Sequence, residues 1–491
     1  MICGNTHNSR YILIKRLALG ILLCIMACNA YGQDSSGPQE SAEPTVYTLT
    51  LAEAIELALH ANRSLKNSEY GVDSQEYALT ATQSAFNWKY APGTTAVMTE
   101  DSDSIGAGLT VAKKTTLGPS VSLSQELYKN EYHDFENGWQ AKFGVALTVP
   151  LLRGLGSEIN LDSVHSSEYS LRSVQRSYDL AKINLVVETV AAVYDVVEQG
   201  ELVNLDQRQI DRFHGHAMMA KAKEKIGLSD PIDVYRAQIR LKDAQDSLSR
   251  SREALRNAGD RLKILLAVPL GTMMETSAPL TCPPLDVSVD EAVTTAVQNR
   301  IELTQAEDEI ENVRRSSRLA KHNLKPQLDM VGRYNRTAND DPVDRSLRLD
   351  EDFWSISLVS TTDWRRSVEK AEYQRSLLAV KSAELSRWAK VDSIKREVRQ
   401  VFDSLLKAEE RMQIRKEQIN QAEGKLALAK TKFRHGMANN FNVIEAETEL
   451  QEARTNLLSA KIDYIVGTYR LRAGMGTLIE YKKKDEQANR P

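Results

Sequence analysis

The chain has 491 residues and a net charge of −4 spread along its length, which gives no basis for nucleic-acid binding. It holds only 24 glycines and 13 prolines, so long uninterrupted elements are expected. Three of the four cysteines (Cys3, Cys24 and Cys28) fall before residue 33, so Cys282 alone remains beyond it and disulfides cannot staple the fold.

Residues 1–32 read as a signal peptide. Arg10, Lys15 and Arg16 precede the apolar run Leu17 to Cys28, and Ala30-Tyr31-Gly32 puts small residues at −3 and −1 before Gln33. Lipid attachment at Cys28 is the alternative, although Met26 fits that motif poorly. Either route exports the chain. No later apolar run reaches the about 20 residues a membrane helix needs. Residues 33–46 are a polar tether of Ser, Gly, Pro and Glu.

A first repeat is expected over residues 47–275. Thr50 and Glu53 have capping-box spacing, and Leu51, Ala54, Ile55, Ala58 and Leu59 follow at helical intervals. Helical periodicity is lost between Pro92 and Pro150. There Trp139, Ala141, Phe143, Val145, Leu147 and Val149 alternate with Gln140, Lys142, Gly144, Ala146 and Thr148, the pattern of a two-faced strand. Val121, Leu123 and Leu127 alternate likewise, and Leu109 and Val111 suggest a further strand or a hairpin extension. Lys129 to Gly138 reads as a loop. Strands of about 9–11 residues can cross a bilayer with tilt, whereas a soluble β subdomain with one face in a core is the alternative.

No proline interrupts Leu151 to Ser229, and Ile183, Val186, Val187, Val190, Val193, Tyr194 and Val197 form an apolar stripe. A helix from about Glu158 to Ile226 would be about 100 Å long, with Gly200 and Gly215 as candidate bends. The turn at Gly227 leads to a return helix from Ile232 to about Leu266. Pro269 to Pro284 is a proline-bearing connector.

A second repeat is expected over residues 276–480, ahead of a charged tail at 481–491. Gly227/Gly436, Val234/Val443, Ala237/Ala446, Leu241/Leu450, Ala244/Ala453, Leu248/Leu457 and Leu262/Leu471 are all 209 apart. One constant offset over that span marks an internal duplication of a helical hairpin. At the repeat starts the offset is 238, from Glu53 to Glu291, so the first copy is 29 residues longer somewhere before its turn. The second copy has a weaker strand pair around Leu328–Met330 and Trp354–Leu358, separated by an expected loop from Asn335 to Asp352. Its helices run from about Ser367 to Phe433 and from Phe441 to about Arg472.

Helices this long need partner helices along their whole length. Four strands cannot close a barrel, and open strand edges are not tolerated in lipid, so several chains must cooperate.

The chain resembles the TolC-like outer-membrane efflux proteins over about residues 47–478. The resemblance rests on the duplicated start (Leu51-x-Glu53-Ala54-Ile55, Ala58-Leu59, Asn62). It rests also on the corner Val149-Pro150-Leu151-Leu152-Arg153-Gly154-Leu155-Gly156 and on both glycine turns with their ladders. It implies a mainly α fold with membrane β: duplicated long helical hairpins form a periplasmic α-barrel. Four strands per protomer contribute to a trimeric 12-stranded outer-membrane β-barrel. It further implies a homotrimeric, non-enzymatic exit duct, without cofactor, served by a periplasmic adaptor and an inner-membrane transporter. The second corner, Val359 to Trp364, lacks the proline that Pro150 supplies in the first.

The same resemblance implies that the turns at Gly227 and Gly436 dock the adaptor. It implies that Asp233, Asn442 and Glu445 line the periplasmic aperture, and that Pro150 and Gly154 form the strand-to-helix corner. Asn442 stands where well-known members carry an aspartate, so this aperture should bind cations less strongly. The alternative for Asp233 and Asn442 is helix capping, and for Glu445 a solvated face. His214 and His216 at i, i+2 fall on different helix faces with no third ligand evident. Trp139, Trp354 and Tyr128 are candidate interfacial belt aromatics or ordinary core. A periplasmic coiled-coil structural or adaptor protein is the competing reading; an adaptor would have one hairpin flanked by β segments, not two in tandem.

Overall fold

A computed structural model describes residues 47–98, 102–132, 138–227, 230–340, 349, 351–435 and 437–479. The leader, the tether and most of the charged tail, together with Gly436, lie outside the described residues.

The two repeats follow one plan. The first has β1 (Tyr47–Thr50), α1 (Leu51–Ala61), α2 (Arg63–Gln83), four strands, then α3 (Asp162–Lys225) and α4 (Pro231–Leu265). A short strand β6 (Met274–Ser277) leads to the second, with α5 (Val289–Asn299), α6 (Ile301–His322), two strands, α7 (Ser367–Arg434) and α8 (Asn440–Gly474). Both starts carry complete capping boxes, Thr50 with Glu53 and Ser288 with Glu291. Each box satisfies otherwise orphaned N–H groups, so the same punctuation opens each copy.

α3 has 64 residues, about 96 Å at 1.5 Å per residue, and α7 has 68. A single helical turn, Ser157–Asn160, precedes α3 and is separated from it at Leu161, where one continuous helix was expected. The candidate bends at Gly200 and Gly215 both lie inside the unbroken α3. Neighbouring helices hold the backbone there despite the low helix propensity of glycine.

Among the described residues there is no single globular core. Buried side chains form strips along the helices. Val186, Val190 and Tyr194 of α3 meet Ile462, Ile465 and Val466 of α8, joining the repeats. Ala54, Ala58, Val193 and Leu262 form a second strip; Val398, Leu405, Tyr464 and Leu471 form a third. The repeated ladder is the buried face of each return helix: Val234, Ala237 and Ala244 in one, Val443, Ala446 and Ala453 in the other. Arg176, buried in α3, lies 2.5 Å from Asp308 of α6.

β1 and β6 pair in parallel, and the other six strands form one antiparallel sheet in the order β2-β3-β4-β5-β7-β8. These are β2 (Lys89–Met98), β3 (Ser102–Lys114), β4 (Ser120–Tyr132), β5 (Gly138–Pro150), β7 (Asp329–Asp340) and β8 (Glu351–Val359). The four strands expected from alternation are β4, β5, β7 and β8. The suggested hairpin extension is β2–β3, which brings the sheet to six. It occupies Lys89 to Lys114 and accounts for nearly all of the 29 extra residues of the first copy.

The expected loop beginning at Asn335 is corrected, because β7 continues pairing with β5 as far as Trp139↔Asp340. β4 likewise runs past Lys129 to Tyr132. Ladder bonds hold these polar ends as strand although they lack the apolar alternation that marks a half-buried face.

Register defines two faces. Leu123, Leu127, Phe143, Val145, Tyr334, Trp354 and Ile356 share the apolar one, whereas Ser122, Ser124, Glu126, Lys142, Arg333 and Asn335 share the polar one. Trp139 and Trp354 both lie on the apolar face. Tyr128, paired with Gln140, is on the opposite face and cannot join a lipid-facing belt with them.

Candidate functional site

The site begins where α3 ends. Gly227 adopts φ +71° and its N–H bonds Glu224 O at 2.9 Å, the left-handed turn that glycine permits without strain. Asp230 then caps α4, its carboxylate accepting from Ile232 N–H at 2.9 Å, and Pro231 occupies the first helical position. The cap is therefore Asp230. Asp233 sits one turn in, half-buried, 3.7 Å from Arg236.

The second tip is built differently. Asn439 and Asn442 form a reciprocal capping box, with 3.2 and 3.3 Å bonds between each side chain and the other's backbone N–H. Asn442 thus has a capping duty, and its side chain is exposed as well. Glu445 is exposed one turn further on.

The two tips are together in space. Ile444 of α8 packs in one cluster with Phe213, Val234 and Ala237. The Arg236 guanidinium lies 5.8 Å from the Phe441 ring centre, so the Asp233 pair abuts the start of α8. Ile226, Ile232, Tyr235 and Met437 are exposed apolar side chains at this end.

Between the tips lies a buried polar network that sequence reasoning missed. Glu447 of α8 is 3% exposed. Its carboxylate lies 3.0 Å from His216 Nε2 and 3.0 Å from Lys430 Nζ, with the Arg212 guanidinium at 3.9 Å. His216 Nδ1 lies 3.0 Å from the buried Asn440. Burial pushes the Glu447 carboxyl up, but hydrogen bonds from His216 and Lys430 more than offset this and hold it below the usual range. His216 therefore answers a carboxylate, and no metal-ligating cluster occurs among the described residues. A signal was present: Glu447 shares the buried register of Val443, Ala446 and Leu450. A carboxylate on an apolar face needs a buried partner.

The corner residues lie where β5 gives way to helix. Pro150 ends β5, and Gly154 follows with φ +90°. Gly154 O accepts from Asn160 Nδ2 at 2.7 Å. The β3–β4 turn packs onto this corner through Gly156 N–H to Leu117 O at 2.9 Å. At the second corner, hydroxyls replace the proline: Gln327 N–H donates to Thr362 Oγ1 at 2.8 Å and Ser360 Oγ donates to Gln327 O at 2.9 Å.

Comparison with known proteins agrees with this geometry. Residues 292–477 match the outer membrane efflux protein family. Outer membrane protein TolC of Vibrio cholerae serotype O1 is 24% identical over 343 residues, covering 66% of this chain and 75% of its own. The solved outer-membrane channel OprN superposes with a TM-score of 0.69 at 14% identity, covering 91% of this chain and 98% of its own. The Campylobacter jejuni CmeC outer membrane channel does so with a TM-score of 0.69 at 14% identity, over 92% and 94%. Residues 292–477 thus match that family, and the chain is similar over most of its length to TolC and shares the fold of the OprN and CmeC channels.

Proposed function

We propose that this chain is the exit duct of a tripartite efflux or type I secretion system, a homotrimer served by a periplasmic adaptor and an inner-membrane transporter. The supporting observation is incompleteness. One chain leaves both sheet edges open, and it leaves apolar side chains such as Leu378, Leu385 and Trp388 of α7 exposed along a helix. Copies around an axis would cover both.

On this reading the tips ring the periplasmic aperture. Asp233 and Glu445 each supply a ring of three charges, and Asn442 supplies a neutral ring between them. The turns at Gly227 and Gly436 dock the adaptor, and the apolar side chains of Ile226, Ile232 and Met437 suit a helical partner. The duct performs no chemistry and needs no cofactor; it offers a continuous path.

Two measurements test this. Outer-membrane detergent extracts should contain a heat-modifiable trimer, and a soluble monomer would sink the proposal. A photo-crosslinker at Ile226 or Met437 should capture the adaptor in cells, and loss of that adduct with an intact trimer would remove the docking assignment.

A further inference from the structure

We infer that the β2–β3 hairpin is part of the barrel wall, so that three copies close an eighteen-stranded barrel through a seam between β2 of one copy and β8 of the next. The inference rests on the homotrimer proposed above.

Four observations carry it. The hairpin is not an appendage at the end of the sheet. β3 pairs with β4 over the whole length of both strands, from Lys114↔Ser120 to Ser102↔Tyr132. A twelve-stranded wall starting at β4 would require that entire ladder to break so that β8 of the next copy could take the place of β3.

The hairpin also continues both faces of the sheet. Tyr90, Pro92 and Ala96 pair with Val111, Leu109 and Ile105 on the apolar side, in line with Leu123 and Leu127 of β4. Gly93, Thr95, Gly106, Gly108 and Thr110 continue the polar side. Ile105 and Leu109 are exposed, as an outward lipid face in a single copy must be.

The turn below the hairpin is fixed to the strand-to-helix corner. Gly118 adopts φ +118°, and a Cβ there would lie 2.5 Å from Gly154 O. The hairpin is thereby held at the same height as the strands it joins.

Finally, the two free edges match. β2 has 10 residues and β8 has 9, the length needed for a tilted crossing. β2 enters from α2 and β8 leaves into α7, so neighbouring copies meet antiparallel and the alternation is unbroken. Pro92 removes at most one N–H from the seam, consistent with its place on an edge strand.

The consequence is a wide outlet. At about 4.8 Å strand spacing and about 40° tilt, eighteen strands enclose about 36 Å between backbones, against about 24 Å for twelve. The outer-membrane segment then cannot be the size filter, and discrimination falls to the periplasmic tips.

Cysteine cross-linking in full-length Cys282→Ser protein, in outer membranes, tests the seam. Thr94→Cys is combined in turn with Trp354→Cys, Ile356→Cys and Leu358→Cys, all on the apolar face. Leu123→Cys of β4 is combined with the same three. The eighteen-stranded wall predicts covalent dimers and trimers from at least one Thr94 pair and from no Leu123 pair. β4 would lie about 14 Å from β8 of the next copy, beyond the Cα separation of about 4.4–6.8 Å that a disulfide spans. Linkage through Leu123 instead overturns the inference, as does an intact trimer with no Thr94 linkage. Strand count in single-particle images of the detergent-solubilised trimer decides independently, eighteen supporting and twelve overturning. Failure of Cys282→Ser protein to trimerise at all would strike the homotrimer, not the seam.

Discussion

His216 of the first repeat and Glu447 of the second meet at 3.0 Å, with both side chains largely removed from solvent. The contact joins α3 to α8 close to the tips, beside the His216–Asn440 contact and the apolar cluster of Phe213, Val234 and Ile444. Removing Glu447 leaves His216, Lys430 and Arg212 without their shared acceptor. Glu447→Ala should destabilise the tip toward the lower end of the about 3–5 kcal/mol typical for a broken buried pair, because Lys430 is half exposed. Hydrogen exchange of the first turns of α8 would read this.

The same carboxyl sets a pH dependence. Its folded pKa is lowered from 4.5, so its stabilisation is complete above about pH 4.5 and is lost as pH falls through the lower folded value. Exchange protection at the start of α8 should therefore fall as the pH drops below about 4.5, and Glu447→Gln should flatten that dependence.

Charge at the tips is a separate matter. Planar-bilayer recordings of Asp233→Ala and Glu445→Ala should show reduced cation selectivity; unchanged conductance and selectivity in both would remove them from the aperture. Asn442→Asp should raise cation selectivity. It should also strengthen the start of α8 by roughly 0.3–1 kcal/mol through the helix dipole, since Asn442 already occupies the third helical position.

Two tyrosines fasten the connector between repeats. Tyr194 Oη donates to Pro279 O at 3.1 Å, and Tyr464 Oη donates to Pro283 O at 2.7 Å. Tyr464→Phe should cost about 0.5–1.5 kcal/mol, read as a lower trimer dissociation temperature. Tyr194→Phe should act in the same direction with a smaller effect, in keeping with its longer bond.

Two glycine substitutions should differ sharply. At Gly227 a Cβ meets nothing within 4 Å, so Gly227→Ala should cost only the about 1–2 kcal/mol of a left-handed alanine and leave assembly intact. At Gly118 the same atom would collide with Gly154 O and Pro150, so Gly118→Ala should prevent the corner from closing and abolish trimers in membrane extracts.

The duplication was legible because packing demands it: the ladder from Val234 to Leu262 recurs at one offset since both return helices bury the same face. β5 was legible because its two faces differ in polarity. β2 was not, because Gly93, Thr94 and Thr95 carry little alternation and its pairing depends on β3. The far end of β7 was read as loop because Asn335 and Asn339 are turn-formers by propensity, a preference that pairing with β5 overrides. Glu447 was hidden by its polarity. Periodic reading assigns charged residues to water, and only its register with Val443 and Leu450 marks it as buried.

The two hairpin copies have diverged in how their tips are held more than in shape. Gln238 stands in α4 where Glu447 stands in α8, and it is exposed. The start of α8 is tied down by a desolvated charge cluster, whereas the start of α4 is held by the apolar contacts of Val234 and Ala237 with Arg236 against the Phe441 ring. In the proposed trimer the two kinds of tip would alternate, and the ones without a buried carboxylate carry Asp233.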